Sequence, residues 1–128
     1  MSYLREMADQ GYRPDAIGPF HCHMLPWLLR QYNVGLGETV LDIGAGQGHG
    51  LLPLHAAGWH KLIALDRDEE NFELFRGRFG IATLRCDIGR ERIDVPDGAV
   101  AAILCFHLVE HLQDPANLLS ESRRVLKR

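Results

Sequence analysis

Val40-Leu41-Asp42-Ile43-Gly44-Ala45-Gly46-Gln47-Gly48 decides how this chain folds. Thr39 to Ile43 is β-branched and aliphatic apart from one acid, the composition of a buried strand. Three glycines at alternate positions follow, and beyond them comes the apolar run Leu51-Leu52-Pro53-Leu54. A strand that passes through such a turn into a helix brings bare backbone N–H groups up to a ligand, and side chains at the glycine positions would block the approach. The junction points to a nucleotide-like cofactor.

Working outward, strands and helices alternate from Glu38 onward. A helix is expected over about 47–57, closed by Gly58, with Pro53 forcing a late start or a kink. Lys61–Leu65 reads as the second strand. A helix follows over 69–79, with Phe72, Phe75 and Phe79 on one side and Gly80 at its end. Ile81–Cys86 is the third strand. Val100–Phe106 is the fourth, apolar throughout as a strand buried on both faces should be. Asp114 caps the last helix, Pro115 opens it, and Leu118, Leu119, Val125 and Leu126 are expected to face the sheet. Such alternation implies right-handed crossovers and a parallel sheet covered by helices.

Residues 1–37 differ in character and read as an N-terminal helical segment ahead of an α/β core over 38–128. Leu4, Met7 and Ala8 share one face. Gly11 to Phe20 reads as a loop through Pro14, Gly18 and Pro19. Met24, Leu25, Leu28, Leu29 and Tyr32 form a second stripe, in which Pro26 is tolerable only in the first turn, and Gly35 and Gly37 end the helical region.

The 128 residues make one domain. A net charge of −3 gives no basic field for nucleic acid. No apolar run approaches the length of a membrane helix, and Met1 to Met7 has no apolar signal region, so a cytoplasmic protein is expected. Cys22, Cys86 and Cys105 are odd in number and widely spaced, as reduced, mostly buried thiols are.

The acids divide the possible cofactors. Asp66, at the end of strand two and about 20 residues beyond Gly44, is placed to accept hydrogen bonds from ribose hydroxyls, or else to cap the helix beginning near Asp68. A dinucleotide turn wants its third glycine at position 49, which holds His49. Asp42, two residues before the first glycine, would serve a pyrophosphate poorly and an amino-acid ammonium group well. A nicotinamide-dependent oxidoreductase is thus the weaker alternative.

Val40 to Gly48 resembles the first motif of class I S-adenosylmethionine-dependent methyltransferases, and the resemblance extends over about residues 38–127. Cys86-Asp87-Ile88 resembles the segment after strand three, where the family's acid meets the adenine amino group and the next N–H meets the ring. Val95 to Gly98 together with Leu104 to Leu112 is similar to the strand-four motif of the small-molecule branch. Asp114-Pro115 and Arg123 to Lys127 are similar to its following helix and "R-V-L-K" ending. The resemblance implies a Rossmann-like parallel sheet of order 3-2-1-4 and S-adenosyl-L-methionine as cofactor. It implies cofactor contacts from Asp42, Gly44, Ala45, Gly46, Gly48, Asp66, Arg67, Asp87, Ile88 and Phe106, with a small-molecule methyl acceptor. Ala101 replaces the family's usual early strand-four acid, with little effect expected so far from the cofactor.

The family continues with Pro-Gly-Gly and three more strands, which this sequence lacks. Strand four is then an apolar edge, expected to be covered by a second copy or by a further C-terminal segment. The same feature supports an alternative function, a truncated module that binds cofactor without catalysis. Among seven histidines, His107 is the best placed to act as a base, because in the resembled fold it borders the methyl group; His111 more plausibly packs or caps. His21-Cys22-His23 has no recognised zinc spacing and reads as a polar helix start, so no metal is expected. His49, His55 and His60 read as surface or packing residues, and Phe20 and Trp27 as core residues or, alternatively, as the lining of a substrate pocket. Arg123, Arg124, Lys127 and Arg128 suit a helix C-terminus and need no partner.

Overall fold

The computed structural model describes residues 17–128. The expected face of Leu4, Met7 and Ala8, and most of the Gly11–Phe20 loop, lie outside the described residues. Four strands, β1 (Thr39–Ile43), β2 (Lys61–Asp66), β3 (Ala82–Arg85) and β4 (Ala102–Leu104), form one sheet of order β3-β2-β1-β4. All three pairings are parallel, with Val40 opposite Leu62 on one side and Ala102 on the other.

The two-residue period of β1 and β2 sorts their side chains into two cores. Val40, Leu62 and Ala64 pack on one face with helices α1 (Leu25–Gln31), α2 (Leu51–Ala56) and α3 (Phe72–Phe79). Leu41, Ile43 and Leu65 pack on the other face with Ile88, Ile93 and helix α4 (Ala116–Val125). The chain builds β1, β2 and β3 in one direction, then returns to place β4 on the far side of β1. That reversal is the point at which open α/β sheets bind ligands, beyond the carboxyl ends of the strands.

Local chemistry explains where the elements begin and end. α2 starts only at Leu51, because Pro53 is tolerated within a first turn and Gly48, three residues before that start, has a positive φ. α3 ends on left-handed Gly80 as expected but starts at Phe72, three residues later than the sequence suggests. Asp114 accepts a hydrogen bond from the Ala116 N–H at 2.9 Å at the head of α4.

Pro26 lies in the first turn of α1, as expected, but the helical path begins earlier. A π-turn over Phe20–Met24 precedes α1 and runs into it, with the Leu25 N–H donating to the Phe20 carbonyl. The wider turn absorbs the amide that Pro26 lacks. Left-handed Asn33, rather than Gly35 or Gly37, follows the end of α1.

Several expected burials fail. Leu25 and Leu29 are core, but Met24, Tyr32, Phe20 and Trp27 are exposed along α1 and its π-turn, and Leu119 is exposed on α4. Helical spacing marks a face without saying how wide its covered part is. β4 is shorter than its apolar run and mostly half-buried, since nothing described flanks its outer edge beyond an isolated parallel bridge between Val100 and Leu126. Before the strand begins, the Val100 N–H already donates to the Val125 carbonyl and the Ala101 N–H to that of Thr39.

Arg124 has partners after all. Its guanidinium donates to Glu121 (2.6 Å), Asp97 (2.8 Å) and the carbonyls of Ile93 (2.7 Å) and Val95 (2.8 Å). Buried Glu121 also accepts the Ile93 N–H at 2.7 Å. The Arg124 hydrogen bond holds the Glu121 carboxyl below its ordinary value of 4.5. The stabilisation is therefore present above that value and lost as pH falls through the lower folded one. Arg124→Met leaves Glu121 buried without its cation and is expected to lower the thermal midpoint by several degrees at neutral pH, with a smaller deficit in acid. Thermal melts at two pH values check this.

Candidate functional site

Three strand ends and the segment after β4 converge on a cleft of about 250 Å³. Its lining includes Gly44 from the end of β1, Asp66 and Arg67 from β2, Asp87 and Ile88 from beyond β3, and Phe106 and His107 from beyond β4. Seven of the eleven residues singled out from the sequence thus meet in one place. Gly46 is tied to the same wall, its N–H donating to Asp66 Oδ2 at 2.9 Å.

The glycines divide by role. Gly44, Gly46 and Gly48 all have positive φ, at 77°, 54° and 87°. A Cβ at Gly44 would meet Leu108, which packs over the turn from beyond β4, whereas Gly46 is open and exposed. Gly48 faces inward: a Cβ there would stand 2.8 Å from Phe75 and 3.0 Å from Leu52. Gly48 and buried Ala45 are therefore packing residues and do not line the cleft.

Asp42 also lies off the cleft wall. It is buried beneath the turn, with Oδ2 2.9 Å from where a Cβ on Gly50 would stand. Its Oδ1 is buried with no hydrogen-bond partner among the described residues. Burial, and secondarily the charge of Asp66, push the carboxyl up from 3.8 to about 8. An acid kept neutral this way wants a cation or a donor.

Asp66 accepts a backbone N–H on each of its carboxylate oxygens and caps no helix, since α3 begins only at Phe72. Oδ1 accepts the Asp68 N–H at 3.0 Å, turning the chain toward α3, while Oδ2 holds the glycine turn. Asp87 accepts from the Gly89 N–H and from Arg90 Nε, both at 3.1 Å. Each carboxylate retains acceptor capacity beside the cleft. A pyrophosphate would compete with the Asp66 carboxylate for the Gly46 N–H, which favours hydroxyl and ammonium groups over phosphate.

His107 sits just past β4 at φ 54°, a left-handed conformation uncommon for a residue with a side chain, and its imidazole is exposed at the cleft. Glu110 lies 3.9 Å from both His107 and His111. His111 was expected to pack or cap; it is exposed and lines the cleft instead. The Phe106 ring meets His21 at 4.8 Å and Phe20 at 5.8 Å, both edge-on, joining the π-turn to the cleft wall. Sequence reasoning missed Leu108 and Leu112 on that wall, because only the short 3₁₀ turn Val109–His111 folds them back over it.

A methyltransferase domain model matches residues 41–128. The chain belongs to that methyltransferase domain family. A probable S-adenosylmethionine-dependent methyltransferase of Mycolicibacterium smegmatis is 35% identical over 91 residues, which are 71% of this chain and 35% of that protein. A S-adenosylmethionine-dependent methyltransferase of Aquifex aeolicus superposes with a TM-score of 0.65 at 26% identity, covering 91% of this chain and 68% of that one. A structure from Methanococcus maripaludis, described as a putative methyltransferase of the same kind, gives 0.69 at 20% identity, covering 85% and 52%, and shows the shared fold. The chain spans about a third of the length of the curated relatives it matches. The matched region begins within β1 and takes in every residue of the cleft described above, so the family assignment and the strand-end geometry concern the same part of the chain.

Proposed function

We propose that this methyltransferase domain binds S-adenosylmethionine at the strand ends and serves methyl transfer to a small-molecule acceptor. The observation that carries the reading is the Asp66 carboxylate bound to the Gly46 N–H, with Asp87 on the same cleft and, beneath the turn, an Asp42 whose Oδ1 has no partner among the described residues. These groups fit the cofactor's chemistry. Asp66 suits ribose hydroxyls, Asp87 and the Ile88 N–H suit adenine, and Asp42 suits the ammonium of the methionine part. Gly44, Gly46, Arg67 and Phe106 form the surrounding wall, backed by Ala45 and Gly48.

When bound, the sulfonium supplies an activated methyl group. The chain's own contribution is orientation and exclusion of water, which can supply roughly 7–11 kcal/mol of a barrier. Phe106, Leu108 and Leu112 provide the apolar part of that enclosure. His107 can take the proton from a hydroxyl acceptor at one of its ring nitrogens. His107→Ala is expected to slow transfer to such an acceptor by ~10²–10⁴-fold while leaving S-adenosylhomocysteine affinity within about twofold. Steady-state rates with parallel binding measurements check this, and an unchanged rate removes His107 from the chemistry.

Three free cysteines among the described residues support a reducing, cytoplasmic setting, with the Cys86 thiol pushed up to about 11 by burial. The free edge of β4 supports cover by a second copy or by further polypeptide. A second reading of the same cleft is a cofactor-binding module that does not itself catalyse. Thermal-shift titration with S-adenosylhomocysteine and with NADH, followed by a methyl-transfer assay, separates the readings. Stabilisation by the first ligand alone supports cofactor binding, and turnover then distinguishes enzyme from module. Stabilisation by NADH alone overturns both.

A further inference from the structure

The glycine turn is held by two side chains, only one of which faces the cleft. The Gly46 N–H donates to Asp66 Oδ2 at 2.9 Å, and the Gly46 carbonyl accepts from Asn71 Nδ2 at 3.0 Å. No packing fixes this residue: its φ is 54°, and no heavy atom lies within 4 Å of where a Cβ would stand. Its neighbours are packed and make their hydrogen bonds to backbone, Gly44 and Ala45 on the Leu65 carbonyl and Gly48 on that of Ala45.

Asn71 occupies the N-cap of α3, where an Asn side chain ordinarily folds back to accept a hydrogen bond from its own helix. It makes no such bond and instead reaches 25 residues back to the turn. A residue type suited to capping is diverted to a loop on the neighbouring strand end. Asp68 Oδ1, accepting the Glu70 N–H at 3.1 Å, helps turn the chain toward the helix in its place.

We infer that Asn71 is a positioning residue for the cofactor site: it holds the Gly46 carbonyl so that the turn keeps its shape when Asp66 shares its carboxylate with a ligand. Asn71 is not among the cleft-lining residues. A ligand hydroxyl on Asp66 would share the carboxylate with the Gly46 N–H, and the Asn71 bond is the side-chain tie that the ligand does not touch. The inference rests on the proposed cofactor reading for its consequence, whereas the tie itself exists without ligand.

Asn71→Ser and Asn71→Asp test it, because both replacements are N-cap residues that keep the start of α3. Serine is too short to reach the Gly46 carbonyl, and aspartate cannot donate to it. Three readouts are taken on the full chain: Gly46 amide exchange by NMR without ligand, the thermal midpoint, and S-adenosylhomocysteine affinity by calorimetry. The expected result is faster Gly46 exchange in both variants, an unchanged or raised midpoint, and about fivefold weaker binding, the fold-change of one hydrogen bond. Wild-type exchange and affinity in both variants would overturn the inference. So would a midpoint that falls in step with affinity, since that marks a helix-stability role only. Faster exchange in a protein whose wild type binds no S-adenosylhomocysteine upholds the tie and overturns the cofactor reading, so the two failures are distinct.

Discussion

Asp42→Asn is expected to weaken S-adenosylhomocysteine binding at least tenfold at pH 8 while making the unliganded chain more stable there. Both effects follow from a buried carboxyl with an unpartnered oxygen and an affinity for its proton raised to about pH 8. Between about pH 4 and pH 8 the folded protein retains a proton that the unfolded chain has released, so wild-type stability falls as pH rises. The slope is about 1.4 kcal/mol per pH unit over that window, and the stabilisation is gone above pH 8. Asparagine matches the protonated acid in shape and does not ionise, which flattens the profile. Denaturant unfolding from pH 4 to pH 9 reads the stability effect. The binding effect is read by calorimetry in buffers of different ionisation heat. An ammonium group that pairs with Asp42 displaces its proton near neutral pH, so the wild-type binding heat depends on the buffer and the variant's does not. A wild-type stability profile as flat as the variant's contradicts the assignment.

Gly48→Ala is expected to cost roughly 2–5 kcal/mol of folding stability, the sum of overpacking and a left-handed non-glycine residue. The new Cβ would press on Phe75 and Leu52, two fully buried side chains at the join between α2 and α3, so neither neighbour can swing into solvent. Gly46→Ala meets open space and suffers only the backbone term, roughly 1–2 kcal/mol. Urea titrations of the two variants should rank them in that order. Equal losses would mean that Gly48 has room the structure does not show.

The contrast between those glycines marks what the sequence conveys. The succession of strands, the glycine turn and the acid at position 66 are local signals, each a residue type at the end of a periodic run, whereas the sheet order and the part given to Asp87 were implied by the family resemblance. Depth is not a local signal. Nothing in the pattern Gly-x-Gly-x-Gly distinguishes the exposed Gly46 from the packed Gly48, or says that Asp42 lies beneath the wall rather than on it. The same limit explains Phe20, Met24 and Trp27, whose helical spacing resembles that of a core stripe although they are exposed. Long-range pairings were least legible. Arg124 reaches back to Ile93, Val95 and Asp97, and Asn71 to Gly46, across 25 residues or more that only the folded sheet brings together.

The central claim is that the strand-end cleft is a S-adenosylmethionine site built on Asp66 and the Gly46 turn. Its most direct test is calorimetric titration of S-adenosylhomocysteine into the wild-type chain and into Asp66→Ala. The account predicts one saturable site in the wild type and a loss of at least tenfold in affinity in the variant, whose fold is checked by its circular dichroism. Absence of binding heat in the wild type, or equal affinity in the two proteins, would contradict it.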